Sequence, residues 1–140
     1  MYKITKKYHF YAGHRNENLN DKCRNLHGHT YYVTMDFEFK YNDETGITFL
    51  FSDIDKIVEP IIEELDHALL INSDDPLLLY LYDFMQEEGE DLKIYKLEDM
   101  VTSAEHLSKH IFERVEKHLP IKKITLQETT SSIVTYENSN

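Results

Sequence analysis

Apolar and polar residues alternate through the early part of the chain. Lys3 to Ala12 mixes Ile, Tyr and Phe with lysines, and Thr30 to Tyr41 sets Tyr, Val, Met and Phe against polar neighbours. A period of two puts successive side chains on opposite faces, so both segments are predicted strands. Between them Gly13 to His29 is polar and rich in Asn, His and charge. It is too long for a tight hairpin and a natural seat for chemistry. The run NDETG, Asn42 to Gly46, predicts a turn into the apolar stretch ITFLF. The period then changes: Ile54, Ile57, Val58, Ile61, Ile62 and Leu65 recur at three and four. That spacing predicts a helix capped by Ser52 or Asp53, with Pro60 as a site for a kink.

The SDDP run starts a second predicted helix, Leu77 to Glu88, with Pro76 in its first turn and Gly89 as its stop. Lys93 to Leu97 alternates as a short strand. Leu107, Ile111, Val115 and Leu119 share one face of a helix over Ala104 to His118, capped by Ser103 and stopped by Pro120. Ile121 to Glu128 and Ser132 to Tyr136 read as a closing strand pair, and Glu137 to Asn140 as a disordered polar tail. Strands, then helices, then strands predict an α+β fold, an antiparallel sheet with helices on one face. The 140 residues hold no internal repeat or low-complexity linker and suit a single domain over residues 1–140.

Composition narrows the function. The longest uninterrupted apolar stretch, Leu77 to Tyr82, is far shorter than the roughly 20 residues that cross a bilayer. Met1 to Lys7 carries three lysines with no apolar run behind it. Neither a membrane span nor a secretory signal is expected, and the expected location is cytoplasmic. A net charge of -11 argues against nucleic acid as a partner. The charge is uneven: residues 1–30 hold six basic and two acidic residues, +4, leaving -15 on the rest. That end suits an anionic small molecule, a solvated basic arm being the plainer reading.

The segment CRNLHGHT carries the sharpest chemical signal. His27 and His29 are two apart at the entrance to a predicted strand, so both imidazoles point to one face. Catalytic zinc takes three protein ligands and keeps one position open. His14, at the end of the first strand, is the third candidate ligand. The lone cysteine, Cys23, excludes an intrachain disulfide; as a fourth ligand it would close the site, and as a free thiol it is a candidate base. Close to a divalent cation and flanked by Lys22 and Arg24, the thiol is expected to have a lowered pKa. Asp66 and His67 end the first long helix as an acid–imidazole pair, a solvated helix end being the bland alternative. Glu128 ends a predicted strand, where a carboxylate can grip a ligand's adjacent N–H donors.

Taken together these motifs resemble the 6-pyruvoyltetrahydropterin and 6-carboxytetrahydropterin synthase family, from about Tyr8 to Tyr136. HFYAGHR resembles the family's first zinc-histidine segment, CRNLHGHTYYV its CxxxHGH segment and LDHALL its Asp-His segment. TSAEHL is similar to PTAEN, and LQET to the pterin-anchor segment. The resemblance implies zinc on His14, His27 and His29, Cys23 as proton acceptor, Asp66 and His67 as an assisting dyad, and Glu128 as pterin anchor, with Ser103 and Glu105 on the pterin pocket. It also implies the tunnelling fold, ββααββ units assembled into homo-oligomers, with a hexamer favoured and active sites at subunit boundaries. The three residues between Cys23 and His27 are similar to the bacterial 6-carboxy branch. That branch converts 7,8-dihydroneopterin triphosphate to 6-carboxytetrahydropterin, releasing triphosphate and acetaldehyde, in queuosine biosynthesis. A 6-pyruvoyl product, or a noncatalytic zinc- or pterin-binding role, is the alternative. The chain departs from the family in three places: an inserted helix and strand between His67 and Ser103, Thr102 where proline is usual, and His106 where asparagine is usual.

Overall fold

The computed structural model describes residues 1–138. Its elements are β1 (Tyr2–His14), β2 (His27–Phe39), α1 (Phe51–Leu65), β3 (Ala68–Asn72), α2 (Leu77–Glu88), β4 (Ile94–Leu97), α3 (Ala104–Glu116), β5 (Ile121–Gln127) and β6 (Ile133–Glu137). They build one six-stranded sheet in the order β4-β3-β1-β2-β5-β6. The alternation seen in the sequence decides which face is covered. Ile4, Phe10 and Ala12 of β1, Tyr31, Val33, Met35, Phe37 and Phe39 of β2, and Ile124 and Leu126 of β5 all point to the buried side. Two helices lie over that side and bury the faces expected of them. From α1 come Ile54, Val58, Ile61, Ile62 and Leu65, and from α3 come Leu107, Ile111, Phe112 and Val115.

Several expectations change. The sheet is mixed: β1-β2, β2-β5 and β5-β6 are antiparallel, while β3 joins β1, and β4 joins β3, in parallel. Strand β2 ends beside the start of β1, and α1 carries the chain back to the far end of β1, where Ala68 pairs with Ala12, so β3 runs in the direction of β1; β4 then follows β3 through α2, a crossover that returns a strand parallel to the one before it. Strand β3, ALLIN, has no period-two signal because four of its five residues are buried. Neither Ser52 nor Asp53 caps α1; Leu50 stands at that position without a side-chain bond. Pro60 lies within α1, which runs on to Leu65. The tail does not begin at Glu137, which closes β6, and Asn138 Nδ2 donates to Glu116 Oε2 at 3.2 Å. The rest of that expected tail lies outside the described residues.

The inserted helix and strand appear as α2 and β4, at one edge of the sheet. Only Leu78 of α2 is buried, and Gly89 ends the helix with φ 66°, a left-handed turn that suits glycine. Among the described residues no helix is long and apolar enough to cross a membrane.

Candidate metal centre and active site

The centre lies where the core-facing rows of three strands run past the end of the core. Along β2 the inward row Phe39, Phe37, Met35, Val33 and Tyr31 continues to His29 and His27. On β1 the row Phe10, Ala12 continues to His14, and on β5 the row Ile124, Leu126 continues to Glu128, one residue past the strand. Register completes the convergence. His14 pairs with His27, and Ala12 with His29, so His14 faces one imidazole directly and the other diagonally. Ring centroids are 4.7 Å apart for His14–His27, 5.2 Å for His14–His29 and 4.9 Å for His27–His29. Gly28, between the two β2 histidines, lets the strands close in, since a Cβ there would meet the Ala12 carbonyl oxygen at 3.3 Å.

The three imidazoles are arranged as ligands. His14 Nδ1 lies 2.8 Å from the Thr102 carbonyl oxygen, and His27 Nδ1 lies 2.7 Å from that of Asn25. A carbonyl only accepts, so each Nδ1 carries the hydrogen and each Nε2 presents a lone pair. His14 is 1% exposed, and its buried Nε2 has no hydrogen-bond partner. The ligand atoms of the three residues all lie within 4.8 Å of one another. Zinc–nitrogen bonds of about 2.0–2.1 Å hold tetrahedral nitrogens roughly 3.4 Å apart, so a modest closure of the rings suits that ion. Burial holds His29 below the ordinary imidazole pKa, and His14 and His27 push the same way against Glu128. Neutral imidazole is the form a metal takes.

Glu128 sits closer to these rings than its sequence position suggests. Its Oε1 is 3.4 Å from both His14 Nε2 and His29 Nε2. That is longer than a hydrogen bond, which fits the unpartnered state of His14 Nε2, and it becomes an ion pair only when an imidazole is protonated. The contact with His14 and the charges of the surrounding imidazoles hold the carboxyl below its usual range, against the effect of burial. Tyr31, fully buried 5.5 Å from the His29 ring, has a hydroxyl without a hydrogen-bond partner, a feature that its place in an apolar strand row conceals.

Cys23 and Lys22 join His27, His29, Glu128 and Asn16 around a cavity of about 500 Å³. The single 3₁₀ turn Lys22–Arg24 presents the thiol, and Asp21 caps that turn by accepting from Cys23 N at 2.8 Å. Among the protein's own groups, the flanking cations do not bring the thiol pKa below its ordinary value. Desolvation raises it, Asp21 adds to the rise, and Lys22 opposes more weakly. The charge flanking Cys23 in sequence is outweighed by the carboxylate two residues back.

The Asp66–His67 pair forms, with His67 Nδ1 2.8 Å from Asp66 Oδ2, and Tyr11 N donates to Asp66 Oδ1 at 3.0 Å. That backbone donor first, and then His67, hold Asp66 below the usual carboxyl range against its burial. His67 adopts φ 59° at the end of α1, a left-handed conformation rare for a residue with a Cβ. Its side chain is 74% exposed and lines a separate depression of about 440 Å³ with Tyr11, Gly28 and His29. Within one chain, then, His67 and Cys23 line different cavities. Ser103 Oγ accepts from His106 N at 3.3 Å as the cap of α3, and Glu105 is exposed in the first turn; neither lines the cavity that holds Cys23.

Comparisons with known proteins agree with this geometry. The family model described as 6-pyruvoyl tetrahydropterin synthase matches residues 3–139. A Haemophilus influenzae protein named 6-carboxy-5,6,7,8-tetrahydropterin synthase is 29% identical, covering 98% of this chain and 99% of its own. One of the same name from Aquifex aeolicus is also 29% identical, over 97% and 98%. The human 6-pyruvoyl tetrahydrobiopterin synthase is 26% identical, over 96% and 90%. Among solved structures, an uncharacterized protein of Wolinella succinogenes superposes with a TM-score of 0.80 at 20% identity, covering 99% of this chain and 98% of that one. The 6-pyruvoyl tetrahydropterin synthase of Caenorhabditis elegans gives 0.71 at 21%, over 99% and 96%. The fold is the tunnelling fold, and the chain belongs to the 6-pyruvoyl tetrahydropterin synthase family.

Proposed function

We propose that this chain is a zinc-dependent lyase converting 7,8-dihydroneopterin triphosphate to 6-carboxy-5,6,7,8-tetrahydropterin, with release of triphosphate and acetaldehyde, in queuosine biosynthesis. The observation that carries the reading is the cluster of three metal-ready histidines, two of which, His27 and His29, line the same cavity as Cys23. Bacterial relatives bearing the 6-carboxy name along nearly their whole length support that product over the 6-pyruvoyl one.

Each residue has a task that follows from its place. His14, His27 and His29 hold the zinc through Nε2. Bound zinc supplies Lewis acidity toward the oxygens of the substrate side chain. Cys23, ionised to the thiolate, removes a proton from carbon in the cavity that it lines. Glu128, at the inner end of the cavity, accepts from the pterin amino and ring N–H groups. Glu105 stands at the start of α3, which Ser103 fixes by its cap, and in this reading meets the pterin in a site shared with a neighbouring subunit. Lys22, on the cavity rim, draws in the triphosphate.

The exposed Asp66–His67 pair serves a site shared across a subunit boundary in a homo-oligomer, a hexamer in this reading, and the protein works in the cytoplasm. His67 there relays protons while Asp66 holds its ring orientation. The test is to incubate the zinc-loaded protein and its Cys23→Ala variant with 7,8-dihydroneopterin triphosphate and identify products by mass spectrometry. The 6-carboxy product with acetaldehyde, lost in the variant, is expected. A 6-pyruvoyl product would transfer the chain to the sister activity, and no turnover by folded, zinc-loaded protein would sink the reading.

A further inference from the structure

We propose that the segment from Asn72 to Thr102, which carries the inserted helix and strand, is the outer clamp of the metal centre, and that Thr102 is the positioning residue for His14. The proposal rests on the metal-site reading above and adds to it what sets the affinity of the site.

Thr102 is fully buried and presents two oxygens to the same imidazole nitrogen. Its carbonyl lies 2.8 Å from His14 Nδ1 and its Oγ1 lies 3.1 Å from it. The hydroxyl hydrogen is spent elsewhere, since Thr102 Oγ1 donates to the Arg15 carbonyl oxygen at 3.2 Å. Its lone pairs therefore face His14. With two acceptors sharing the Nδ1 hydrogen, the ring is held in one tautomer and one rotation, and the bare Nε2 is aimed at the other two histidines.

The start of the same segment grips the next residue along β1's exit. Asp75, 2% exposed, takes a 2.8 Å bond from Arg15 Nε and a further contact from Arg15 Nη2. It also accepts from Leu77 N, the first residue of α2, at 2.9 Å. Asn72 then ties the two ends of the segment together. Its Oδ1 accepts from Met100 N at 3.0 Å, and its Nδ2 donates to Glu17 Oε1 at 2.9 Å. His14, Arg15 and Glu17 are thus each held by the segment, through Thr102, Asp75 and Asn72 in turn. Arranged this way, the segment acts on a ligand without touching the metal.

The experiment measures zinc dissociation constants of the metal-stripped full chain by competition with a chromophoric chelator. Thr102→Val and Thr102→Ala remove the hydroxyl and keep the carbonyl, and Thr102→Ser restores it. Outer-partner changes of this type weaken metal binding by 10–100-fold, and with one acceptor kept a loss of about tenfold is expected in Val and Ala. Ser is expected within about twofold of the parent, and the visible spectrum of the cobalt-substituted protein should shift in Val and Ala but not in Ser. Two hydroxyl-free variants guard against misfolding of either one. A parent that binds zinc as Val and Ala do, within twofold, would overturn the clamp and leave the metal reading standing. A parent that binds no zinc would overturn both.

Discussion

Replacing Asp75 by alanine removes three contacts at once, all on one side chain that is 1% exposed: two from the Arg15 guanidinium and one from Leu77 N. Breaking a fully buried ion pair from one side destabilises by about 3–5 kcal/mol, because the remaining charge stays desolvated. The Arg15 side chain is 21% exposed and can recover some hydration, which reduces that part to about 2–3 kcal/mol. Losing the acceptor for Leu77 N at the start of α2 adds about 1 kcal/mol, as for other helix caps. The sum, about 3–4 kcal/mol, is a large share of a typical 5–15 kcal/mol stability and lowers Tm by about 10–15 °C for a chain of this length. Urea unfolding followed by circular dichroism at fixed protomer concentration measures it. Asp75→Asn keeps an oxygen for Leu77 N and should lose about 1 kcal/mol less. Acid gives a second check. Burial alone would raise the Asp75 carboxyl, but Arg15 and the Leu77 N–H outweigh it and hold the pKa below its ordinary value. A depressed carboxyl contributes stability that is present above the unfolded pKa, about 3.9, and is lost as pH falls through the folded one. The gap between parent and Asp75→Asn should therefore be full above about pH 5 and shrink below about pH 4. A loss under about 1 kcal/mol at neutral pH, or a gap that grows in acid, would refute the reasoning.

Two further outcomes follow from the separation of His67 from Cys23. Mixed oligomers of Cys23→Ala and His67→Ala, each inactive alone, should recover about a quarter of parental activity, the share of sites drawing one intact residue from each of two chains; no recovery would confine the site to one protomer. His67→Gly should leave stability unchanged or raise it by up to about 1 kcal/mol, read as an unchanged or higher Tm, since glycine relieves a left-handed residue whose side chain is mostly solvent-facing. The same variant should lose turnover, and a clear fall in Tm would show that the ring's contacts with Asp66 and Tyr11 outweigh the backbone strain.

Period and punctuation made most of the fold legible. The alternating rows of β1 and β2, the three-and-four spacing of α1 and α3, and the stops at Gly89 and Pro120 each name an element that formed within two or three residues of its expected bounds. What stayed hidden was set by tertiary pairing. Strand β3 is buried on both faces and shows no alternation, so LDHALL reads as the close of a helix and gives no sign of a strand. The start of β2 was placed at Thr30 because His27 to His29 are polar, yet those residues extend the strand and gain their common direction from it. A row of inward residues does not have to be apolar once it passes the end of the core.

That last point explains both what the sequence said about the site and what it withheld. His27 and His29 were readable as a pair because two residues in one strand share a face whatever surrounds them. His14 and Glu128 come from other strands, and their arrival at the same point depends on register, which pairs His14 with His27 and carries Glu128 past Gln127 on the neighbouring strand. Around Cys23, desolvation and then the Asp21 carboxylate that the 3₁₀ turn folds back onto it outweigh the flanking cations that local sequence shows. The sharpest case is Thr102. It stands 88 residues from His14 in the chain, and its two oxygens meet that ring only through the fold. Nothing local to TSAEHL points to β1, so a contact that fixes the ring of one histidine becomes visible only once the sheet and the loop before α3 are in place.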